Sequence, residues 1–246
     1  MTSKAGLSYI MTETAFSYPD IPVGTIALVG GFGSGKTEVA VNLTRHLAQQ
    51  ETTPTAIVDL DLVNPYFRSR EAMKEMEALG VHVIVPRGGQ FYADLPILLP
   101  EIRGAIESRV GRLVLDVGGD AQGARALGSL ADALAAGPYE MLMVLNSFRP
   151  FTSDVAGSME TMRRIETTTQ LKFTGLVVNS HMLEETTPEI VLDGYRLGQA
   201  VSRESGLPVV FLSAKADVLD KLKPSDIACP VLPLSRSMLK PWERKK

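Results

Sequence analysis

A glycine-rich segment at 30–37 constrains the fold of this chain more than any other feature. It reads Gly-Gly-Phe-Gly-Ser-Gly-Lys-Thr and matches the pattern G-x-x-x-x-G-K-[ST] at every fixed position. An apolar run at 25–29 precedes it, and a helical pattern at 36–49 follows it. This order predicts a buried strand, a tight loop and an amphipathic helix, which together form the first unit of an α/β sheet.

The residue types in this segment suit the binding of phosphate groups. Glycines allow the loop to curl so that several backbone N–H groups converge on phosphate oxygens, and a lysine adds a positive charge. We therefore expect the β- and γ-phosphates of ATP to bind here, with Mg²⁺ bound through the Thr37 hydroxyl. A glycine-rich turn that merely caps a helix is the alternative. The predicted contacts are Gly31, Phe32, Gly33, Ser34, Gly35, Lys36, Thr37 and Glu38.

Apolar runs alternate with helical patterns along the rest of the chain. The runs at 26–29 and 113–115 are apolar at every residue, as expected for parallel strands covered on both faces. We predict an α/β fold, a doubly wound and mainly parallel sheet of about seven strands with helices on both faces. The predicted strands are 25–29, 55–60, 81–85, 112–117, 141–145, 172–178 and 208–212, and the predicted helices are 36–49, 68–79, 97–109, 123–136, 154–168 and 188–205.

Composition indicates one soluble domain. The chain has 246 residues, 45% hydrophobic and 22% charged, which predicts a domain at 21–236 between a flexible leader at 1–20 and a tail at 237–246. A net charge of −3 gives no reason to expect nucleic acid as a partner. No stretch is apolar enough to predict a membrane span, and a single cysteine, Cys229, fits a reducing cytoplasm.

An acid stands at the end of the strand predicted at 112–117. The order Leu-Val-Leu-Asp116 followed by Val-Gly-Gly-Asp120 is typical of a Walker B carboxylate that holds the Mg²⁺ shell. The two glycines would let the loop approach a γ-phosphate. A simple strand-ending turn is the alternative explanation.

Two more acids follow the strand predicted at 55–60. We assign Asp59 to the metal and Asp61 to the water that attacks the γ-phosphate, because phosphoryl transfer needs mainly positioning and charge neutralisation. Helix capping is the alternative for both. Downstream, Arg68 suits a phosphate or an acidic partner, and Tyr66 and Phe67 suit packing against a partner or substrate.

These motifs resemble the MinD/ParA/Mrp group of P-loop ATPases, within the SIMIBI class that also contains dethiobiotin synthetase and the nickel-insertion GTPases. The resemblance rests on 30–37, Asp61, Asp116 and the Val-Val-Asn179 strand end. It implies the P-loop NTPase fold, with Asp61 as the water-orienting residue and Asn179 in contact with the base. One position departs from the group, because Gly31 stands where its signature lysine would reach across a nucleotide-sandwich dimer.

The choice of base depends on the residues after Asn179. GTPases read guanine with Asn-Lys-x-Asp, whereas this chain has Asn179-Ser-His-Met182, so ATP is favoured. The sequence Ser213-Ala-Lys215 resembles a GTPase loop and keeps GTP as the alternative. Asn179 is also explained by a strand-end cap.

Two further loops, 87–94 and 146–154, each combine arginine, an amide, aromatic residues and an acid after a predicted strand. Such loops lie on the ligand side of a doubly wound sheet, so we predict that they line a pocket for a second substrate. Polar loops whose aromatic residues pack the rim are an equally good explanation.

The sequence as a whole predicts an Mg-ATP-dependent ATPase that couples nucleotide state to a partner protein or a maturation step. A homodimer is plausible because the loops after Asp61 and Asp116 carry apolar residues. The alternatives are an ATP-dependent kinase or ligase with a small-molecule acceptor, a metallochaperone-type GTPase, and a regulator that binds nucleotide without hydrolysis.

Overall fold

A computed structural model describes residues 16–21, 24–50, 53–61, 70–85 and 91–235. The strands are β1 Gly24–Val29, β2 Thr55–Leu60, β3 His82–Ile84, β4 Arg112–Val117, β5 Tyr139–Leu145, β6 Gly175–Val178, β7 Val209–Lys215 and β8 Val231–Leu234. They form one sheet in the order β3-β2-β4-β1-β5-β6-β7-β8, and all neighbouring pairs are parallel. The prediction of an α/β, doubly wound sheet is confirmed.

Helices cover both faces of this sheet. Apolar residues of the first two helices pack with one face, and those of the third to seventh pack with the other, so each face has its own hydrophobic core. The helices are α1 Lys36–Gln49, α2 Arg70–Ala78, α3 Phe91–Ser108, α4 Ala121–Gly128, α5 Ala131–Ala135, α6 Val155–Thr169, α7 Pro188–Ser205 and α8 Ala216–Leu219, with 3₁₀ turns at Leu183–Glu185 and Pro224–Asp226.

Among the described residues the sheet has eight strands rather than about seven, because β8 was not predicted from the sequence. Its Pro233 argues against a strand, since proline cannot donate a hydrogen bond to a sheet ladder. Strand β8 lies at the sheet edge and pairs only with β7, where Ala214 faces Pro233. Proline is tolerated at such an edge.

Two helix predictions differ from the structure. The helix predicted at 123–136 is two helices, α4 and α5, separated at Ser129 and Leu130. Helix α4 ends where Gly128 approaches α6, and a Cβ at Gly128 would lie 3.0 Å from the Thr168 carbonyl oxygen. Helix α3 begins at Phe91, six residues before its predicted start at 97.

Residues 16–20, the last part of the predicted leader, pack on the domain. The Val231 N–H donates to the Ser17 carbonyl at 2.8 Å, and the Tyr18 ring stacks on His46 with centroids 5.1 Å apart. The rest of the leader and the tail at 237–246 lie outside the described residues. Within the described part of the chain, no helix has the length and apolar character required to span a membrane.

Candidate functional site

Residues 30–37, hereafter the cradle, connect β1 to α1 at the carboxyl edge of the sheet. Gly33 and Gly35 have φ values of +73° and +85°, in the left-handed region that favours glycine. A Cβ at Gly35 would lie 2.2 Å from the Asn179 Nδ2 atom, so a side chain has no room there. The Ser34 hydroxyl is buried without a hydrogen-bond partner among the described residues. These features fit a cradle for phosphate oxygens.

Lys36 begins α1 and is only 6% exposed. Its Nζ atom donates to the Gly31 carbonyl at 3.2 Å. Burial lowers the pKa of Lys36, and the carboxylates of Asp116, Asp61 and Asp120 act in the opposite direction. The structure thus brings together the lysine and the acids that the sequence analysis placed at one site.

Asp116 lies opposite Asp59 in the register of β4 and β2, and each residue is 1% exposed. Neither Asp116 carboxylate oxygen accepts a hydrogen bond of normal geometry from a described residue. Burial raises the pKa of Asp116 to about 6, although the Lys36 charge and the nearby Thr37 hydroxyl lower it. A buried carboxylate without a partner is costly, and a cation is the group that would satisfy it.

Asp59 and Asp61 are linked through the backbone. The Asp59 Oδ1 atom accepts from the Asp61 N–H at 3.0 Å, which fixes the turn after β2. Among the described residues, no group of three or more His, Cys, Asp or Glu side chains could hold a metal. A magnesium ion at Thr37, Asp59 and Asp116 would therefore take its remaining oxygens from phosphate and water, as Mg²⁺ commonly does.

The loop after β4 packs directly on the cradle. A Cβ at Gly119 would lie 2.8 Å from both the Lys36 Nζ atom and the Phe32 N atom, so only glycine fits. The Gly118 N–H donates to the Leu60 carbonyl at 3.3 Å, which joins this loop to the end of β2. Asp120 caps α4 by accepting from the backbone N–H groups of 122 and 123.

Asn179 connects the cradle to two neighbouring strand ends. Its Nδ2 atom donates to the Ser34 carbonyl at 2.8 Å, and its Oδ1 atom accepts from the Ser213 hydroxyl at 3.1 Å. The residue is 1% exposed. The amide therefore supports the cradle, which is more than the strand-end cap that the sequence also allowed.

A cavity of about 150 Å³, hereafter the Asn179 cavity, opens beside the start of α1. It has the mixed apolar and polar lining that suits a nucleotide base. Glu184, which was not predicted from the sequence, lines this cavity, and its carboxylate lies 3.0 Å from the Lys215 Nζ atom. The lining residues are Gly35, Glu38, Asn179, His181, Leu183, Glu184, Thr186, Ala214, Lys215 and Leu234.

Arg149 contacts the cradle, which the sequence analysis did not predict. Its Nε atom donates to the Gly33 carbonyl at 2.6 Å, and a Cβ at Gly33 would lie 2.8 Å from that Nε atom. Arg149 follows β5, and only the strand order reveals that β5 lies next to β1.

Some predicted site residues lie outside the described part of the chain. These are Tyr66, Phe67 and Arg68, together with 87–90 of the second-substrate loop. Their roles stay predictions.

His181, in the Asn179 cavity, allows a test of the site by pH. Burial, and then the Arg149 charge, lower its pKa to about 4. Since an unfolded histidine titrates near 6.5, the folded state binds fewer protons between these values, and the free energy of unfolding should fall as pH drops through that window. We expect His181→Gln to lose less stability than wild type between pH 7 and pH 5, by roughly 1–2 kcal/mol in urea titrations. Equal losses would contradict a half-buried, neutral imidazole in the folded protein.

Neither a protein-family model nor a curated protein matches the chain. Among solved structures, cell division protein FtsY from Thermotoga maritima is similar, with 18% identity, a TM-score of 0.52, and coverage of 87% of this chain and 70% of that one.

Two further structures are similar to the same extent. The Signal Recognition Particle 54 kDa protein from Aeropyrum pernix, in complex with GDP, has 18% identity and a TM-score of 0.53 over 87% of this chain and 46% of that one. A nucleotide-binding protein from Archaeoglobus fulgidus, in complex with ADP, has 16% identity and a TM-score of 0.51 over 83% and 86%. At such identities the likeness concerns the fold. This chain has the α/β fold of the P-loop NTPases, with one parallel sheet of eight strands flanked by helices.

Proposed function

We propose that this protein binds and hydrolyses Mg-ATP, and that it couples its nucleotide state to a partner protein or a maturation step. The observation that carries the proposal is the buried Asp116 carboxylate, which has no hydrogen-bond partner of normal geometry and lies beside Lys36 and Thr37. A buried carboxylate without such a partner supports a site for a metal cation that arrives with the nucleotide and adds to the Lys36 charge.

Each residue of the site has a part in this proposal. The cradle N–H groups and Lys36 hold the phosphates, while Thr37, Asp59 and Asp116 would hold the metal. Bound Mg²⁺ supplies positive charge that neutralises the phosphate oxygens. Asp61 holds and orients the attacking water, since it lies close enough to Lys36 and Asp116 to affect their pKa values.

The coupling to a partner would use the loops after β2 and β4. They are joined through Gly118 and Leu60, and Gly119 packs on the cradle. A γ-phosphate that binds near Gly119 would therefore change both loops at once, as in nucleotide-dependent switches. A second copy of the chain or another protein would bind one conformation of these loops more tightly than the other.

GTP is the second candidate, and Glu184 favours it. A carboxylate can accept from the N1–H and 2-amino groups of guanine, and Glu184 lines the same cavity as Asn179. The GDP and ADP bound by the two similar proteins differ from each other, so they do not decide the base.

A competition experiment tests both the base preference and the proposed nucleotide binding. Nucleotide-free protein with Mg²⁺ should bind ATP at least about tenfold more tightly than GTP, and Glu184→Gln should change neither affinity by more than about twofold. Hydrolysis should stop when a chelator removes Mg²⁺. If GTP binds more tightly and Glu184→Gln abolishes that preference, the nucleotide is GTP and Glu184 recognises guanine. If neither ATP nor GTP binds, the proposed function is wrong.

A further inference from the structure

A second cavity, of about 390 Å³, lies against the cradle and shares no lining residue with the Asn179 cavity. We propose that this arginine cavity binds a small organic anion, with a phosphate or carboxylate on an aromatic or apolar body, while nucleotide occupies the cradle. The volume lies in the range of small-molecule sites. The inference rests on the proposed nucleotide binding but does not depend on hydrolysis.

The side chains that line the cavity carry positive charge. Two arginines, Arg149 and Arg164, line it, and its described lining contains no acidic residue. Within the described ranges, neither arginine forms an ion pair. Two unneutralised guanidinium groups attract an anion, and their planar N–H donors match the oxygens of a carboxylate or phosphate.

Aromatic rings beside these charges indicate the rest of the ligand. Phe151 is 62% exposed and Phe32 is 79% exposed, and both line the cavity. The Arg164 guanidinium carbon lies 5.8 Å from the centre of the Phe151 ring. Exposed apolar rings next to a cation suit a ligand that has both an apolar body and a negative group.

The wall that carries these groups is fixed by hydrogen bonds. The Asn146 carbonyl accepts from the Arg149 N–H at 3.0 Å and from the Thr152 hydroxyl at 2.8 Å. The Thr161 hydroxyl of α6 donates to the Phe151 carbonyl at 3.0 Å. Since these bonds hold the loop in place, the exposed rings and charges belong to a preorganised surface, which lowers the entropy cost of binding.

The opposite wall is formed by cradle residues and by Gly119 of the loop after β4. Gly31, Gly33 and Gly119 contribute no side chains there, and a Cβ at Gly119 would lie 2.8 Å from the Lys36 Nζ atom. A ligand in the arginine cavity would therefore lie directly against the loop that holds the phosphates. This position suits an acceptor or an effector whose binding depends on the nucleotide.

Isothermal titration calorimetry with phenyl phosphate as the probe tests the inference. Wild-type protein is first saturated with Mg-ADP, which would fill the α- and β-phosphate positions of the cradle, and is then titrated with phenyl phosphate. Benzoate replaces it in a second arm, which distinguishes a carboxylate ligand from a phosphate ligand. We expect saturable binding of at least one probe, and we expect Arg164→Ala to weaken it at least about fivefold.

Arg163→Ala is the matched control. Arg163 is the neighbouring exposed arginine on α6, but it pairs with Glu160 at 3.2 Å and does not line the cavity. Its replacement should change the affinity less than about twofold. Phe151→Ala should weaken binding as Arg164→Ala does, since both remove a wall of the same cavity.

Two results would overturn the inference. One is the absence of saturable binding of either probe to the Mg-ADP-loaded protein, and the other is equal binding by the Arg164→Ala and Arg163→Ala variants. If Mg-ADP does not bind, the proposed function fails. Titration of the nucleotide-free Arg164→Ala and Arg163→Ala proteins with the same probes then still tests whether the arginine cavity binds an anion.

Discussion

Asp61→Asn should bind Mg-ATP within about twofold of wild type but hydrolyse it roughly 10²-fold more slowly. The physical reason is that Asp61 is proposed to hold only the attacking water, whereas Lys36 and the cradle hold the phosphates. An interaction that matters mainly in the transition state lowers kcat with little change in binding. Single-turnover hydrolysis and nucleotide affinity should be measured on the same preparation.

Asp120→Asn is the control for this experiment. Asp120 also lies near Lys36, but its side chain caps α4, so the variant should lose some stability and keep most of its hydrolysis. The Asp61→Asn protein should accumulate with ATP bound, and any ATP-dependent dimer should be more abundant in sedimentation. Full activity in Asp61→Asn would mean that another group orients the water. Lost ATP affinity would instead place Asp61 in the magnesium shell.

Lys36→Ala should weaken Mg-ATP binding at least tenfold, about 1.4 kcal/mol, because it removes a positive charge from the phosphates. The structure adds a second effect. Lys36 is buried and its charge lowers the pKa of Asp116, so its loss should raise the pKa of Asp116 and leave a buried carboxylate less stabilised. Titration calorimetry measures the affinity, and thermal unfolding without nucleotide checks the fold.

Lys36→Met separates these two effects, because methionine keeps most of the buried side-chain volume without the charge. The Lys36→Met variant should lose as much affinity for nucleotide as Lys36→Ala but should be more stable to thermal unfolding. Unchanged Mg-ATP affinity in either variant would mean that Lys36 and the cradle do not bind the phosphates.

Much of this architecture could be predicted because its signals are local. The cradle motif predicted β1 and α1, and continuous apolar runs predicted strands such as β4 that are covered on both faces. The same runs placed Asp59 and Asp116 at strand ends. The structure then brought these acids together, since β2 and β4 are neighbours with the two residues in register.

The remaining contacts of the site depend on the strand order, which could not be predicted from the sequence. Arg149 reaches the cradle only because β5 adds next to β1, and Asn179 reaches Ser34 only because β6 follows β5. Glu184 was missed for a different reason. It lies in a 3₁₀ turn after β6, two residues beyond the position where a guanine-reading acid is normally sought.

The cradle is bonded unevenly to the strand ends around it. Side chains after β5 and β6, Arg149 and Asn179, donate hydrogen bonds to its carbonyls, whereas the β4 side meets it through the close packing of Gly119. Under the proposed function, the base would be recognised on the Asn179 side, which is bonded to the cradle, and the γ-phosphate would be sensed on the Gly119 side, which packs against it. A change of base preference at the Asn179 side would then leave the packing of Gly119 on the cradle intact, so the proposed switch would not depend on which base is bound.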